Sequence, residues 1–490
     1  MKIQPMALVI AAACAALGGC GGGSSTPSSS PTTGGNTGAN TPATYAVGGQ
    51  VSGLLSGETV QLLNNNGDAL PVNADGSFTF ATQLAAGSPY NVTVGTQPGG
   101  ASCSVSAGSG TVAGTVSNVA VTCSPVLLKN IALFLDSTAG TILTYAYDAA
   151  SGQLTGLAGP DLSAGAGSNA ILVDASATHA YTLTPHNSTT GAQPQLAAFK
   201  IGRGGVLTAN GVQTLAADGQ AAALDVAGDT LYVLQAPVST GQAATIMTYP
   251  IDPSTGAINA KAGSPAVLST TTNRLYRSPG ADYVYALDPD GGAATGTVTT
   301  FAIGANSANT TTKQPTPVGT AVATGAIPIA MAITPNGKFA YILNYFDDTV
   351  SMYTVGADGS LTPLSPSPTF ALTLDSAMPK TAQLRSMAID PSGQYLYVYD
   401  KGNGAIYSLT IDANNGTLKE LSPTPMVVPG GIDAKLSMVG DTTGATVLLV
   451  NKGEVQALTQ DASTGQLSPA KTSGYTFNSG TTIGAAAFGK

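Results

Sequence analysis

Two arginines and several aspartates stand where they could bind a small molecule and hydrolyse it. Arg274 and Arg385 each open a short apolar stretch of the sequence. A guanidinium can hold a carboxylate or phosphate through two parallel hydrogen bonds, and a carboxylate nearby can orient a water molecule for attack. Other apolar stretches are followed by the candidate carboxylates and one lysine: Asp288 and Asp290 in LDPDGG, Asp347 and Asp348 in NYFDDT, and Asp400 with Lys401 in YDKGNG.

These candidates have two interpretations. In the first, Arg274, Arg385, Asp348 and Asp400 are candidates for catalysis, and all of the residues named above except Asp400 are candidates for ligand binding. In the second, the arginines cap loop carbonyls and the aspartates stabilise tight turns, and the sequence favours this structural explanation. The DPDGG stretch also hints at a structural calcium ion, but the further acidic ligands of a complete calcium loop are missing. We therefore expect no metal and no cofactor.

A repeat in the sequence explains how these residues could meet. The stretch Thr334–Leu364 is echoed by Asp390–Leu421, and an aromatic-rich apolar strand recurs seven times at a mean interval of about 52 residues. It is centred near Phe134, Tyr181, Tyr232, Tyr285, Tyr341, Tyr397 and Leu448. Turns such as DPSTGAI, DANNGTL and DASTGQL follow the same interval. Four short strands per unit at this period are typical of a β-propeller, because one blade cannot bury both of its faces alone.

The repeat predicts a closed ring of seven blades over residues 126–490. The first unit starts at its second strand, and Ile483–Phe488 reads as a first strand without a unit of its own. Pairing these two segments would close the ring and remove its open edges. In a propeller, the connections between second and third strands emerge on the same side as those between blades. The candidate arginines and aspartates are thus expected on one face, around the mouth of the central channel.

Composition excludes several classes of function. Charged residues make up only 9% of the 490 residues, and the net charge is −9. So few cations argue against nucleic acid as a partner. The sequence contains no P-loop, no serine nucleophile elbow and no paired-cysteine metal motif. The abundance of Gly and small polar residues favours an all-β fold with many tight turns.

The first residues are typical of an exported protein. Lys2 precedes an apolar run from Met6 to Leu17, which is the layout of a secretory signal. The end of this run, LGGC, resembles the bacterial lipobox, which implies cleavage after residue 19 and acylation of Cys20, for example with palmitate. Gly21 after the cysteine implies sorting to the outer membrane. Residues 20–43 lack large apolar side chains between the cysteine and Ala43, and we expect a disordered tether there.

A small β-sandwich is predicted between this tether and the propeller, over residues 44–124. Alternating stretches such as GSFTFA and YNVTVGT are separated by the turn sequences NNNGD and NADGS. Cys103 and Cys123 remain as a pair in an exported chain, so we expect them to form a disulfide. Closing the loop of about 20 residues between these two cysteines stabilises a domain by about 3 kcal/mol in the chain-entropy model. The module resembles the immunoglobulin-like or carboxypeptidase-regulatory-like modules of bacterial surface lipoproteins, which implies a stalk.

The stretch PNGKFAYILNYFDDTVSMYTVGADGSLTPL and its echo resemble the lactonase-type seven-bladed propellers, which include 6-phosphogluconolactonase and carboxymuconate cyclase. The resemblance implies a lactone hydrolase. Members of that family carry an Arg-His pair and His-Pro around the first strand, and Asn-Glu after the second. Here Met331 or Ser386, Thr334 and Asp390 replace the histidines, and Tyr345 replaces the glutamate. The two histidines of the chain, His179 and His186, are expected in solvated turns and loops.

These departures favour a non-catalytic function. The sequence predicts an envelope-anchored monomer whose propeller binds a small molecule or a protein on its loop-rich face. It is attached to the membrane through Cys20. The alternative is a divergent lactonase that hydrolyses a sugar-acid lactone or a related lactone.

Overall fold

The computed structural model describes residues 43–489, with gaps at 55–57, 99–100, 126–129, 149–152, 158–160, 187–192, 226, 237–241, 290–294, 309–310, 373–383, 423, 429–434, 442–443, 452, 470–474 and 478–482. The described residues form β-strands and turns, with single 3₁₀ turns at Arg203–Gly205 and Gly304–Asn306. Among them, no helix is long and apolar enough to cross a membrane. The all-β prediction is therefore confirmed. The predicted signal peptide, Cys20 and the tether up to residue 42 lie outside the described residues.

The N-terminal module contains two four-stranded sheets within the described residues, in the orders β5-β2-β10-β8 and β4-β3-β7-β9, and β1 pairs with β6. Both sheets contribute to one apolar core that includes Val47, Leu62 and Phe80. Cys103 and Cys123 face each other across β8 and β10 and form the expected disulfide. The strands are β1 (Thr44–Tyr45), β2 (Val47–Ser52), β3 (Val60–Asn64), β4 (Asp68–Val72), β5 (Gly76–Thr79), β6 (Leu84–Ala85), β7 (Pro89–Thr96), β8 (Ala101–Ser106), β9 (Ser109–Thr111) and β10 (Val116–Pro125).

The remaining described strands form seven antiparallel sheets, which are the blades of a propeller. Blade 1 contains β11 (Ile131–Asp136), β12 (Thr141–Tyr147), β13 (Leu154–Gly156) and β14 (Leu162–Ser163), and blade 2 contains β15 (Ala170–Val173), β16 (His179–Thr184), β17 (Gln195–Ile201) and β18 (Leu207–Thr214). Blade 3 contains β19 (Gly219–Leu224), β20 (Thr230–Gln235), β21 (Thr245–Pro250) and β22 (Ala262–Val267), and blade 4 contains β23 (Arg274–Arg277), β24 (Tyr283–Asp288), β25 (Thr297–Ala302) and β26 (Thr316–Ala323).

Blades 5 to 7 follow the same plan, and like blade 1 they have a divided outer strand. Blade 5 contains β27 (Pro328–Ile333), β28 (Phe339–Asn344), β29 (Thr349–Val355), β30 (Leu361–Pro363) and β31 (Thr369–Ala371). Blade 6 contains β32 (Leu384–Ile389), β33 (Tyr395–Asp400), β34 (Ala405–Ile411), β35 (Leu418–Glu420) and β36 (Met426–Val427). Blade 7 contains β37 (Lys435–Asp441), β38 (Gly444–Asn451), β39 (Glu454–Gln460), β40 (Leu467–Pro469) and β41 (Tyr475–Thr476). The last strand, β42 (Ile483–Gly489), is the inner strand of blade 1.

The ring closes through this last strand. β42 pairs antiparallel with β11, with Phe134 opposite Ala486 and Leu133 opposite Ala487. Aromatic side chains fill the junction with blade 7: the ring centroid of Phe134 lies 5.2 Å from that of Phe477 and 6.0 Å from that of Phe488. Blade 1 thus combines strands from both ends of the propeller, so neither end is left as a free sheet edge.

Each pair of neighbouring blades shares one apolar core, and within the described residues there are seven such cores. The second strand of each blade lies between two of them, which is why it reads as a continuous apolar run rather than an alternating one. In blade 5, every residue of β28 is buried. Burial of both faces is what a single blade cannot achieve alone.

A recurrent hydrogen bond joins consecutive blades. The hydroxyl of Tyr341 in blade 5 donates to the carbonyl oxygen of Gly416 in blade 6 at 2.8 Å. The same bond occurs from Tyr181 to Gly256, from Tyr285 to Gly359 and from Tyr397 to Gly465. Burial raises the pKa of Tyr285 to about 12, so this hydroxyl keeps its proton and donates at any physiological pH. We call these bonds the tyrosine latches.

The glycine of each latch is needed for two reasons. Gly416 has φ +75°, in the left-handed region, and a Cβ there would meet the ring of Phe339 in blade 5. Gly256 meets the ring of His179 in the same way. The prediction that His179 is a solvated turn residue is therefore wrong. It is the first residue of β16, and its ring takes the place that Phe339 has in blade 5 because both pack against the next blade's glycine.

Gly416→Ala is expected to destabilise the propeller by about 1–3 kcal/mol more than Gly337→Ala. Both glycines have a positive φ, so both alanines carry the left-handed backbone penalty, but a Cβ on Gly337 meets nothing within 4 Å. The difference isolates the clash with the Phe339 ring. Urea denaturation followed by tyrosine fluorescence measures it, and equal losses for the two variants would contradict the proposed packing.

Candidate functional site

The candidate residues cluster on one face of the propeller, which we call the loop face. It is the edge at which first strands begin and second strands end, and the tyrosine latches lie at the other edge. Asp400 ends the second strand of blade 6 and is fully buried. Its carboxylate accepts hydrogen bonds from the backbone N–H of Gly402 at 2.8 Å and from Nδ2 of Asn403 at 2.7 Å. Asp400 therefore stabilises the turn that follows it, as the structural interpretation predicts.

The corresponding turn of blade 5, residues 345–348, is held against the connection from blade 4. The N–H of Tyr345 donates to the carbonyl of Ile327 at 2.9 Å, and the N–H of Phe346 donates to the carbonyl of Ala326 at 3.3 Å. The carboxylate of Asp347 accepts from the N–H of Ala326 at 2.9 and 3.0 Å. Asp347 thus fixes the turn and its neighbouring segment in one arrangement.

Both of these backbone segments contain a strained residue. Ile327 has φ +54° and Asp348 has φ +50°, in the left-handed region where side chains with a Cβ are disfavoured. For a β-branched residue such as Ile327, this conformation is rare, and each such residue costs on the order of 1–3 kcal/mol. Strained backbone of this kind is concentrated at functional sites. The two strained residues therefore indicate that this turn belongs to a candidate functional site.

Asp348 has the chemical environment of a reactive carboxylate. Its Oδ1 atom is buried and has no hydrogen-bond partner among the described residues. Burial raises the pKa of this carboxyl, and the negative charges of Asp400 and Asp347 raise it further. A carboxylate with a raised pKa is a stronger base than an ordinary aspartate, and an oxygen without a partner is free to accept a proton.

Arg385 approaches this turn from blade 6. Leu384 pairs with Asp400 and Ser386 pairs with Tyr399, so Arg385 is the extra residue of a β-bulge, a feature that often redirects a side chain. Its guanidinium lies 4.8 Å from the centroid of the Tyr345 ring, in a cation–π contact. Its Nε is buried without a hydrogen-bond partner in the described part of the chain. One guanidinium donor, the Nε–H, is therefore not used by the described residues.

We define the blade 5–6 site as Tyr345, Asp347, Asp348, Arg385 and Asp400. These residues belong to two adjacent blades, and the site contains four of the candidates named from the sequence. Lys401 follows Asp400 at its edge. Tyr345 replaces the glutamate of the family pattern, and the sequence does not indicate that its ring supports Arg385. The left-handed conformation of Ile327 has no sequence signal, because a β-branched residue predicts the opposite.

The other candidates lie on blade 4. Arg274 pairs with Leu287, and the equivalent residue of blade 6 is Ser386 rather than Arg385. Because side chains alternate along a strand, this offset of one residue gives the two arginines different orientations. Asp288 accepts a hydrogen bond from Oγ1 of Thr271 at 2.5 Å. It also lines a cleft of about 570 Å³ toward the outer strands of blades 3 and 4. Asp290 lies outside the described residues.

No group of three or more His, Cys, Asp or Glu side chains in the described ranges is arranged to hold a metal ion. The carboxylates of Asp347 and Asp400 instead accept hydrogen bonds from backbone N–H groups, and their negative charges act on Asp348. What the arrangement offers is a base and a cation on adjacent blades.

Comparison with known proteins identifies the type of propeller. Residues 233–473 match the family model described as lactonase, 7-bladed beta-propeller. The periplasmic gluconolactonase PpgL of Pseudomonas aeruginosa has a similar structure, with a TM-score of 0.57 at 16% identity, covering 74% of this chain and 99% of that chain. A protein from Lactobacillus plantarum gives the same TM-score, identity and coverage. At these identities the structural likeness shows the fold, and the family-model match confirms the predicted resemblance to the lactonase-type propellers.

A curated relative matches over a shorter stretch. A 6-phosphogluconolactonase of Pectobacterium carotovorum is 34% identical over 90 residues, which is 18% of this chain and 24% of that protein. The match thus spans about a quarter of the relative's length.

Asp348 is expected to titrate above the ordinary aspartate value of about 3.9. Asp400→Asn should lower its midpoint, because one of the two negative charges that raise the pKa is removed. Asparagine fits this position, since Asn344 ends the second strand of blade 5 at the same point. Carbon-detected NMR of ¹³C-aspartate protein, with Asp348→Asn for assignment, measures the midpoint. Asp358→Asn, in a turn on the opposite face, is the control, and a midpoint that Asp400→Asn leaves unchanged would disprove the coupling.

Proposed function

We propose that the propeller hydrolyses a lactone at the blade 5–6 site. The observation that carries the proposal is the Asp348 carboxylate, with a buried oxygen that has no partner and a pKa raised by burial and by two neighbouring carboxylates. The match to the lactonase family model and the name of the curated relative support the same reaction class. They favour a lactonase over the non-catalytic binding function that the sequence analysis prefers.

Asp348 is the general base in this proposal. It takes a proton from a water molecule as the water oxygen forms a bond to the lactone carbonyl carbon, and the carbonyl oxygen becomes an oxyanion. When the tetrahedral intermediate collapses, the bond between the carbonyl carbon and the ring oxygen breaks. The ring oxygen receives the proton from Asp348, so the product is an open-chain hydroxy acid and the carboxylate is regenerated.

Arg385 supplies the positive charge for the oxyanion. Its Nε–H has no hydrogen-bond partner in the described part of the chain, and the Tyr345 ring restricts the position of the guanidinium. A preorganised donor aimed at developing negative charge is worth more than one that must be ordered during the reaction. Asp400 is a positioning residue, because it acts on Asp348 through its charge while its oxygens hold the following turn.

The family histidines and glutamate are replaced here, so other residues must supply the base and the positive charge for hydrolysis. Thr334 and Asp390, which stand at two of the histidine positions, accept hydrogen bonds within the turns between first and second strands. These turns lie at the edge away from the loop face. They are therefore structural residues, and the base is Asp348.

Asp348→Asn should lower kcat for lactone hydrolysis by about 10²–10⁴-fold, the usual contribution of a general base. A pH-stat or a carboxylate-release assay on a panel of lactones measures the rate. Asp358→Asn serves as the control, since Asp358 lies in the turn between the third and fourth strands, on the opposite face, where its carboxylate accepts hydrogen bonds from Ser360. Hydrolysis at the wild-type rate by a folded Asp348→Asn protein would overturn the assignment.

The pH profile provides a second readout. The deprotonated form of Asp348 is the active base, so kcat/KM should rise with pH through a midpoint above that of an ordinary aspartate. Asp400→Asn lowers this pKa and should shift the rising limb to lower pH. A limb that stays at the same pH would show that another group is the base.

We also propose that the chain is a lipid-anchored protein of the bacterial cell envelope, with acylation at Cys20. The lipobox-like LGGC sequence supports it. Cells that express the full chain should incorporate a clickable palmitate analogue into the wild-type protein, and Cys20→Ala should abolish the label. Cys103→Ala with Cys123→Ala is the matched control, because these cysteines form a disulfide. Label that persists in Cys20→Ala would exclude the anchor.

A further inference from the structure

Two exposed apolar side chains flank the blade 5–6 site. Phe346 is 75% exposed and Ile327 is 38% exposed. The backbone hydrogen bonds from Tyr345 to Ile327 and from Phe346 to Ala326 hold their segments side by side. Single exposed hydrophobic residues are ordinary on a protein surface, but here two belong to adjoining segments and one immediately follows the tyrosine that supports Arg385.

Neither residue is explained by folding. Phe346 is not needed for the core at this exposure, and the turn contacts of its segment are made by backbone atoms and by Asp347. Ile327 carries the penalty of a left-handed backbone conformation that a glycine would avoid, and most other positive-φ residues of the chain are glycines. Strained backbone clusters at active sites and ligand clamps, which fits a contact between Ile327 and a ligand.

The charges of the site restrict the ligand. Asp347, Asp348 and Asp400 stand against Arg385 and Lys401, and Arg385 is drawn onto the Tyr345 ring. The carboxylates already destabilise one another, because two of them raise the pKa of the third. A phosphate or carboxylate on the substrate would add negative charge to this field. An uncharged substrate avoids that repulsion.

We propose that the substrate is an uncharged lactone with an alkyl or aryl substituent that packs on Phe346 and Ile327. The inference rests on the proposed lactone hydrolysis and narrows its substrate class. The ring carbonyl lies toward Asp348 and Arg385, and the substituent extends over the two apolar side chains. Phe346 and Ile327 are specificity residues, since they contact a part of the substrate that does not react.

The test compares two lactones with the same six-membered ring. δ-Decalactone carries a pentyl substituent and δ-valerolactone carries none, so the ratio of their kcat/KM values reports contacts to the substituent alone. The wild-type protein should prefer δ-decalactone at least tenfold, and it should hydrolyse 6-phosphoglucono-δ-lactone more slowly than either. Each buried methylene contributes a factor of a few in affinity, so the four methylenes and the methyl group of the pentyl chain, partly covered, can provide this preference.

The variants separate apolar contact from general damage. Phe346→Ala should reduce the ratio of kcat/KM for δ-decalactone to kcat/KM for δ-valerolactone by about tenfold, because the substituent loses its contact. Phe346→Leu should keep most of the preference. Ile327→Gly should reduce it while keeping or improving stability, because glycine adopts φ +54° without strain. Val212→Ala, which shortens an exposed apolar side chain on blade 2, is the control and should change nothing.

The outcomes distinguish the two proposals. Hydrolysis without a preference for δ-decalactone, or faster hydrolysis of the phosphorylated lactone, overturns this inference and leaves lactone hydrolysis standing. A preference that survives Phe346→Ala and Ile327→Gly combined also overturns it. Failure of the folded wild-type protein to hydrolyse any of the three lactones overturns the proposed function itself, and the substrate class with it.

Discussion

The propeller depends on the contact between the second strand of one blade and the glycine turn of the next. The buried tyrosine of that strand donates its hydroxyl proton to a glycine carbonyl, and the aromatic ring at the start of the strand packs against the same glycine. The bond connects two sheets that share no ladder hydrogen bonds of their own. It occurs at four of the blade junctions that the structure describes. The apolar cores between blades supply most of the stabilisation, and each latch adds a directional contact to the core beside it.

Because the latches lie at one edge, the other edge is left to vary. The turns at the latch edge repeat a fixed pattern of an aspartate that accepts backbone N–H groups and a glycine with positive φ, as in Asp412 with Gly416 and Asp461 with Gly465. The loop face has no such requirement. Its turns differ from blade to blade, and at the blade 5–6 site it combines strained residues, exposed apolar side chains and unpartnered polar atoms. This division between a uniform edge and a variable edge is what allows one architecture to hold different sites.

The sequence predicts the blades well because their signal is local and repeated. Burial on both faces gives the second strand a continuous apolar run with its tyrosine, and the turns reveal themselves through Asp and Gly. The candidate site is predicted only in part. Asp348, Asp400 and Arg385 are recognisable as residue types on the correct face, but their roles depend on register. Arg385 occupies a β-bulge and Arg274 does not, a difference of one residue that no composition rule reveals. The left-handed Ile327 contradicts its own propensity, so only the tertiary hydrogen bonds around it explain its conformation.

The raised pKa of Asp348 depends on neighbours that are held in place. A carboxylate keeps a raised pKa only if its neighbours cannot rearrange to relieve the repulsion. Asp400 cannot turn away, because both of its oxygens are held by the turn of blade 6, and Asp347 is held by the N–H of Ala326. In blade 5 the position of Asp400 is taken by the neutral, fully buried Asn344, whose amide donates to Ser351. The same structural position therefore carries a charge in one blade and none in the next. The electric field at Asp348 therefore includes the charge of Asp400 but none from Asn344, and the fold tolerates either side chain at the end of the second strand.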